Sequence, residues 1–326
     1  MMQALKGIRH LTSSALKQAV SELSIPVPWG EIRGKVWGPE HGRPVLCLHG
    51  WADNCGTFNT LIPLLPQGNH TVNIMGECRF TAELDDSHVD VFFVLSQSTL
   101  SGGNVYNHGA CTCFLQFSAL YPEMVDAVVL LDSYGFLPTD PQEVPKVMRE
   151  GIDGLIKFEK SSEEKKDRVY TYEKAVERLS AANPTLSEQS VHILLERGLH
   201  EVEGGVIFSR DFRINLKNIV RISLEQSLEM QARIQASVLV LLAEDGFEKI
   251  FTQADQKKYT SALLQGYRDK NHTVVMVPGN HHVHLNNPEA VAPLVSDFLR
   301  TKVLSKTSGV ERPEISQGQK TLHHWK

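Results

Sequence analysis

Pro44-Val-Leu-Cys-Leu48 runs straight into His49-Gly-Trp-Ala-Asp-Asn54, and this junction decides the fold. An apolar run without alternation reads as a strand buried on both faces, which points to a parallel sheet covered by helices. The same texture returns at Thr71–Met75, Ala127-Val-Val-Leu-Leu131, Val238-Leu-Val-Leu-Leu242 and Thr273-Val-Val-Met-Val277. Upstream, Ser24–Trp29 and Ile32–Trp37 flank Gly30-Glu31 and read as a β-hairpin. Pro26 and Pro28 lack the N–H that a central strand must donate, so the first run belongs at a sheet edge.

Between these strands the sequence predicts helices. A brief one covers Phe58 to Leu65, another covers Phe114 to Leu120 and closes at Tyr121-Pro122, and an amphipathic one runs from about Pro288 to Val303. From 138 to 232 the texture changes to charge-rich and helix-favouring, with Lys157–Leu179 and Ser187–Arg197 as the best helices. Strands alternating with helices define an α/β fold with a mostly parallel sheet. The block at 138–232 is then an insertion, a helical cap that divides the core into 22–137 and 233–303. Residues 1–21 carry Lys6, Arg9, His10 and Lys17 without an acid, as a disordered or targeting leader does, a mitochondrial one included. Polar residues 304–326 read as a disordered tail.

Composition narrows the function. The 326 residues are 41% hydrophobic, ample for a large core, and 33 basic against 38 acidic residues leave a net charge of −5. That balance lacks the basic footprint of a nucleic-acid-binding protein. No run reaches the ~18–20 apolar residues of a membrane span. The cysteines at 47, 55, 78, 111 and 113 have no paired C-x-x-C spacing, so they read as free thiols and imply no zinc. Oligomeric state is not legible.

In an open parallel sheet, functional groups gather beyond the carboxyl ends of the strands. His49-Gly50, Asp132, Asp245 and His281 all stand at such ends. A histidine oriented by a carboxylate, with backbone N–H groups aimed at an oxyanion, is the equipment of nucleophilic hydrolysis. The order acid then histidine, Asp245 then His281, suits it; Asp132 is the alternative acid. His281, His282 and His284 also form a cluster that a metal could use, but triad placement accounts for it without one.

These motifs together resemble the α/β-hydrolases, on the branch of epoxide hydrolases and haloalkane dehalogenases. Leu46–Asn54 is similar to their oxyanion loop, Phe117–Val125 with Val128–Asp132 to the helix behind the nucleophile and the next strand. Leu241–Gly246 is similar to their acid turn and Pro278–Glu289 to their histidine loop. The resemblance implies a serine hydrolase that acts on a small ester-like or apolar molecule through an acyl-enzyme. It assigns His281 as base, Asp245 as orienting carboxylate and the Trp51 N–H to the oxyanion hole. It implies no metal or organic cofactor, and a cytoplasmic or peroxisomal setting.

Residues 74–116 depart from that pattern. The family has a nucleophile in G-x-S-x-G on a strained turn that admits only tiny side chains two positions to either side. The chain has no such pentapeptide. Ser101, in Thr99-Leu-Ser-Gly-Gly103, is the best survivor, with a downstream glycine and a β-branched Thr99 upstream. About two dozen residues separate Met75 from Ser101, short for a helix plus a strand, and a lost helix predicts a bared apolar patch. The alternative reading is therefore a non-catalytic member, possessing the fold without the elbow through a splice or gene-model change, that binds a ligand or partner.

Overall fold

The computed structural model describes residues 20–27, 30–38, 43–50, 53–66, 70–75, 91–96, 110–162, 168–210, 212–250 and 254–302. One sheet holds β1 (Val20–Val27), β2 (Gly30–Trp37), β3 (Arg43–Leu48), β4 (His70–Met75), β5 (Val91–Ser96) and β6 (Val125–Leu131). After a separate hairpin of β7 (Leu199–Val202) and β8 (Gly205–Phe208), it is completed by β9 (Ser237–Asp245) and β10 (Thr273–Asn280). The order is β1-β2-β4-β3-β5-β6-β9-β10. From β4 onward every neighbouring pair is parallel, while β2 runs antiparallel to both β1 and β4.

The expected hairpin forms, and β1 with its Pro26 lies at the sheet edge, where a missing N–H costs no ladder bond. It begins at Val20, two residues inside the expected leader; residues 1–19 and 303–326 lie outside the described residues.

Alternation within the apolar strands splits the core in two. Val129 and Leu131 of β6 and Leu239 and Leu241 of β9 join one cluster; Val128, Leu130, Val240 and Leu242 join the other. The first is sealed by α7 (Ala292–Lys302), through Val295, Phe298 and Leu299. The second is sealed by α1 (Ala110–Leu120) and, in the later half of the chain, α6 (Ala254–Asp269), through Leu115, Leu263 and Tyr267. Each fully buried Leu or Val adds roughly 1.5–3 kcal/mol, so the strands that hold the site's loops are the firmly held part of the molecule.

Between β6 and β9 the chain makes α2 (Val144–Ser162), α3 (Tyr172–Ala182), α4 (Glu188–Gly198), the β7–β8 hairpin and α5 (Leu224–Ala232). None of these joins the large sheet. The helix expected over Lys157–Leu179 is in fact two. Tyr170 is drawn into a β-bridge with Val206, and the Thr171 hydroxyl accepts from the Lys174 N–H (3.2 Å), starting α3 afresh. The brief helix expected at Phe58–Leu65 is two single 3-10 turns, Cys55–Phe58 and Ile62–Leu64.

Candidate active site

Strand register brings the candidate loops to one rim. Leu48 stands abreast of Leu95, Ser96 of Leu131, and Leu131 of Leu241. His49 therefore follows β3, and Asp132 follows β6, on either side of the exit of β5.

Asp132 takes a left-handed backbone conformation (φ 46°) that non-glycine residues adopt rarely and at a cost of roughly 1–3 kcal/mol. The turn aims its carboxylate inward, where it is 2% exposed. Oδ1 accepts from the Ala243 N–H (2.9 Å), and Oδ2 from the Phe247 N–H (2.7 Å) and His281 Nδ1–H (2.5 Å). A buried carboxylate so bonded has its desolvation offset, and it fixes the imidazole with the proton on Nδ1. His281 is itself 3% exposed, lies against the Phe247 ring (centroids 5.5 Å), and has no partner for Nε2 among the described residues. The nitrogen left unpaired is the one a general base would offer to a nucleophile.

The expectation that Asp245 orients this imidazole does not match the geometry. Asp245 ends β9 abreast of Asn280, with an exposed side chain. β9 outruns β6: its last pairing with β6 is Leu241, so Asp245 lies four residues past it, ~13 Å along the strand at 3.3 Å each. β9 itself, through the Ala243 N–H, and the turn after it, through the Phe247 N–H, donate to the Asp132 carboxylate, and neither brings a carboxylate of its own. Gly246 is required there, because a Cβ at that position would fall 2.3 Å from Asp132 Oδ1.

The other two histidines go elsewhere. His282 Nδ1 pairs with the Thr185 hydroxyl (3.0 Å) and His284 Nε2 with the Thr57 hydroxyl (3.0 Å). Burial, with His281 beside them, depresses His282 to about 2 and His284 to about 3, so both stay neutral near pH 7. Three rings with three separate partners do not converge. Among the described residues no group of three or more His, Cys, Asp or Glu is arranged to hold a metal.

On the opposite wall, His49 is buried and its Nδ1 bonds the Gly50 carbonyl (2.8 Å). Asp53, which the sequence reading passed over, has Oδ1 on the Asn54 N–H (2.8 Å) and a buried Oδ2 without a partner among the described residues. Burial pushes its carboxyl up, opposed by the pull of His49, the Asn54 N–H, the Thr57 hydroxyl and His281. Its only signal in the sequence is an acid placed four residues after a histidine at a strand end. Ser101 and Trp51 lie outside the described residues, as does the stretch where the apolar patch was expected.

This sheet order, with an aspartate–histidine pair at its carboxyl rim and an insertion after β6, defines an α/β-hydrolase. The solved structures agree. The hypothetical protein PA1622 from Pseudomonas aeruginosa PAO1 superposes with a TM-score of 0.66 at 22% identity over 85% of this chain and 99% of its own. The thioesterase domain from the curacin biosynthetic pathway does so at 0.62 and 19%, over 85% and 99%. In sequence, the serine hydrolase-like protein of Danio rerio is 47% identical over 341 residues, covering 97% of this chain and 100% of that one. The chain belongs to the family of serine hydrolase-like proteins. No family model matches it. Among the described residues, no helix is long and apolar enough to cross a membrane.

Proposed function

We propose that the chain is a serine hydrolase that cleaves a small ester-like substrate through an acyl-enzyme, with His281 as base and Asp132 as its orienting carboxylate. The reading is carried by the buried His281–Asp132 pair at 2.5 Å, with Nε2 left unpaired among the described residues. The nucleophile we assign is Ser101, in the segment that follows β5. Its hydroxyl proton would pass to His281 Nε2 as the oxygen attacks the carbonyl carbon, Asp132 stabilising the imidazolium. The Trp51 N–H would bind the oxyanion. The same proton then leaves with the alcohol, and water, activated by His281, releases the acid from the enzyme. The insertion 138–232 would act as the cap, and the setting would be cytoplasmic or peroxisomal.

A fluorophosphonate probe tests this directly. The folded chain is expected to label at one serine, and Ser101→Ala to abolish labelling. Labelling that persists in Ser101→Ala moves the nucleophile to another serine, and a folded chain that never labels favours a second reading. That reading, a ligand-binding member without catalysis, is supported by the absence of a G-x-S-x-G pentapeptide from the chain.

A further inference from the structure

Among its contacts with the core, helix α4 reaches both sides of the site. Near its carboxyl end, the Leu194 carbonyl accepts from Asn54 Nδ2 (2.9 Å), in the loop after β3. The Asn54 Oδ1 caps the turn it precedes by accepting from the Gly56 N–H (2.9 Å), so one amide both shapes that loop and ties it to α4. Near the amino end of α4, the Ser187 N–H (3.0 Å) and Ser190 hydroxyl (2.8 Å) both donate to Asn286 Oδ1.

Asn286 ends the short helix Val283–Asn286 that follows His281. Its Nδ2 donates to the Thr185 carbonyl (2.7 Å) and to Asn280 Oδ1 (3.1 Å). Asn280 Nδ2 donates to the same carbonyl (3.0 Å), and its Oδ1 accepts from the His282 N–H (3.0 Å). The Thr185 hydroxyl completes the set on His282 Nδ1. The residues on both sides of His281, Asn280 and His282, are thus fastened to Thr185, while Asp132 holds only its ring. These side-chain bonds join segments about a hundred residues apart and bear on the backbone on either side of the base itself.

We propose that α4 and the turn before it set the position of the His281 base relative to the loop after β3, with Asn286, Thr185 and Asn54 as positioning residues. The inserted block is then part of the proton-transfer machinery. Its catalytic meaning rests on the reading of His281 as a base; its structural meaning does not, and the experiment separates the two.

The readouts are the downfield proton resonance of His281 Nδ1–H, which needs no activity, and the rate and pH profile of fluorophosphonate labelling. Asn286→Ala is expected to shift the resonance, move the pH midpoint of labelling, and slow labelling by ten- to a hundredfold. Thr185→Val should slow it several-fold, and Thr185→Ser should restore what Val loses, since only the hydroxyl is at issue. A resonance and pH midpoint that stay at their native values in folded Asn286→Ala and Thr185→Val, with only the melting temperature lowered, would overturn the proposal. If Asn286→Ala does not fold, the Val and Ser variants at 185 decide alone. A shifted resonance in a chain that never labels would uphold the positioning and remove the hydrolase reading.

Discussion

Two aspartates end neighbouring strands of this molecule, and only one reaches the histidine. Asp132 turns inward after β6 in a left-handed conformation and gathers two backbone N–H groups and an imidazole. Asp245 ends β9 with an exposed side chain. The difference lies in strand length: β9 runs on past β6, so Ala243 near its end and Phe247 in the turn beyond both donate to the Asp132 carboxylate. Standing at a strand's carboxyl end is thus a necessary condition for a place in the site and not a sufficient one. What decides is the height of that end in the sheet and the backbone conformation just beyond it.

The contrast is broken most forcefully by exchanging each acid for its amide. Asp132→Asn should lower the hydrolytic or labelling rate by roughly 10³–10⁴-fold, as losing the group that fixes the imidazole tautomer does elsewhere. Asp245→Asn should stay within about twofold, since an exposed side chain at that height orients nothing. Equal losses in both, measured side by side, would remove the distinction.

Stability should separate the pair next. Asp132→Ala strips the Ala243 and Phe247 N–H groups and the imidazole of their acceptor, a loss of about 3–5 kcal/mol in urea unfolding. Asp245→Ala should change stability by under about 0.5 kcal/mol.

The histidine loop sharpens the comparison through pH. His282 and His284 are held neutral in the fold, at about 2 and about 3, and they recover an ordinary value near 6.5 when unfolded. Between about pH 6.5 and 3 the unfolded chain therefore binds more protons than the folded one, and stability falls as pH falls. With both groups contributing, the slope approaches about 3 kcal/mol per pH unit, and it vanishes above about pH 6.5. His284→Gln should remove half of it; a slope unchanged in that variant would show that this ring does not titrate with unfolding.

A more local effect comes from Gly246. A methyl group there meets Asp132 Oδ1 at 2.3 Å, so Gly246→Ala should cost about 1–3 kcal/mol and disturb the carboxylate. A variant as stable and as active as the parent would mean that the β9 turn can retreat without loss.

The fold was legible because its signals are local and repeated. Unbroken apolar runs at 44–48, 127–131 and 238–242 became β3, β6 and β9, and Pro26 placed the first strand at the edge. The site was legible only as a set of strand ends. Which acid turns inward depends on how far β9 overruns β6, and apolar runs buried on both faces lack the alternation from which such an offset could be read. Asp53 and the Asn280–Asn286 cluster escaped notice for a related reason. Asparagines and a lone acid in loops read as turn formers until their partners, some a hundred residues away, are in place. The helix division at Thr171 could have been read, since a threonine ahead of Glu173 and Lys174 carries a helix-start signal.

Proton NMR of the parent and the two amide variants tests the central pairing most directly. The His281 Nδ1–H, held between imidazole and carboxylate, should give a downfield resonance in the parent that persists in Asp245→Asn and disappears in Asp132→Asn. Loss of that resonance in Asp245→Asn, with its survival in Asp132→Asn, would contradict the account.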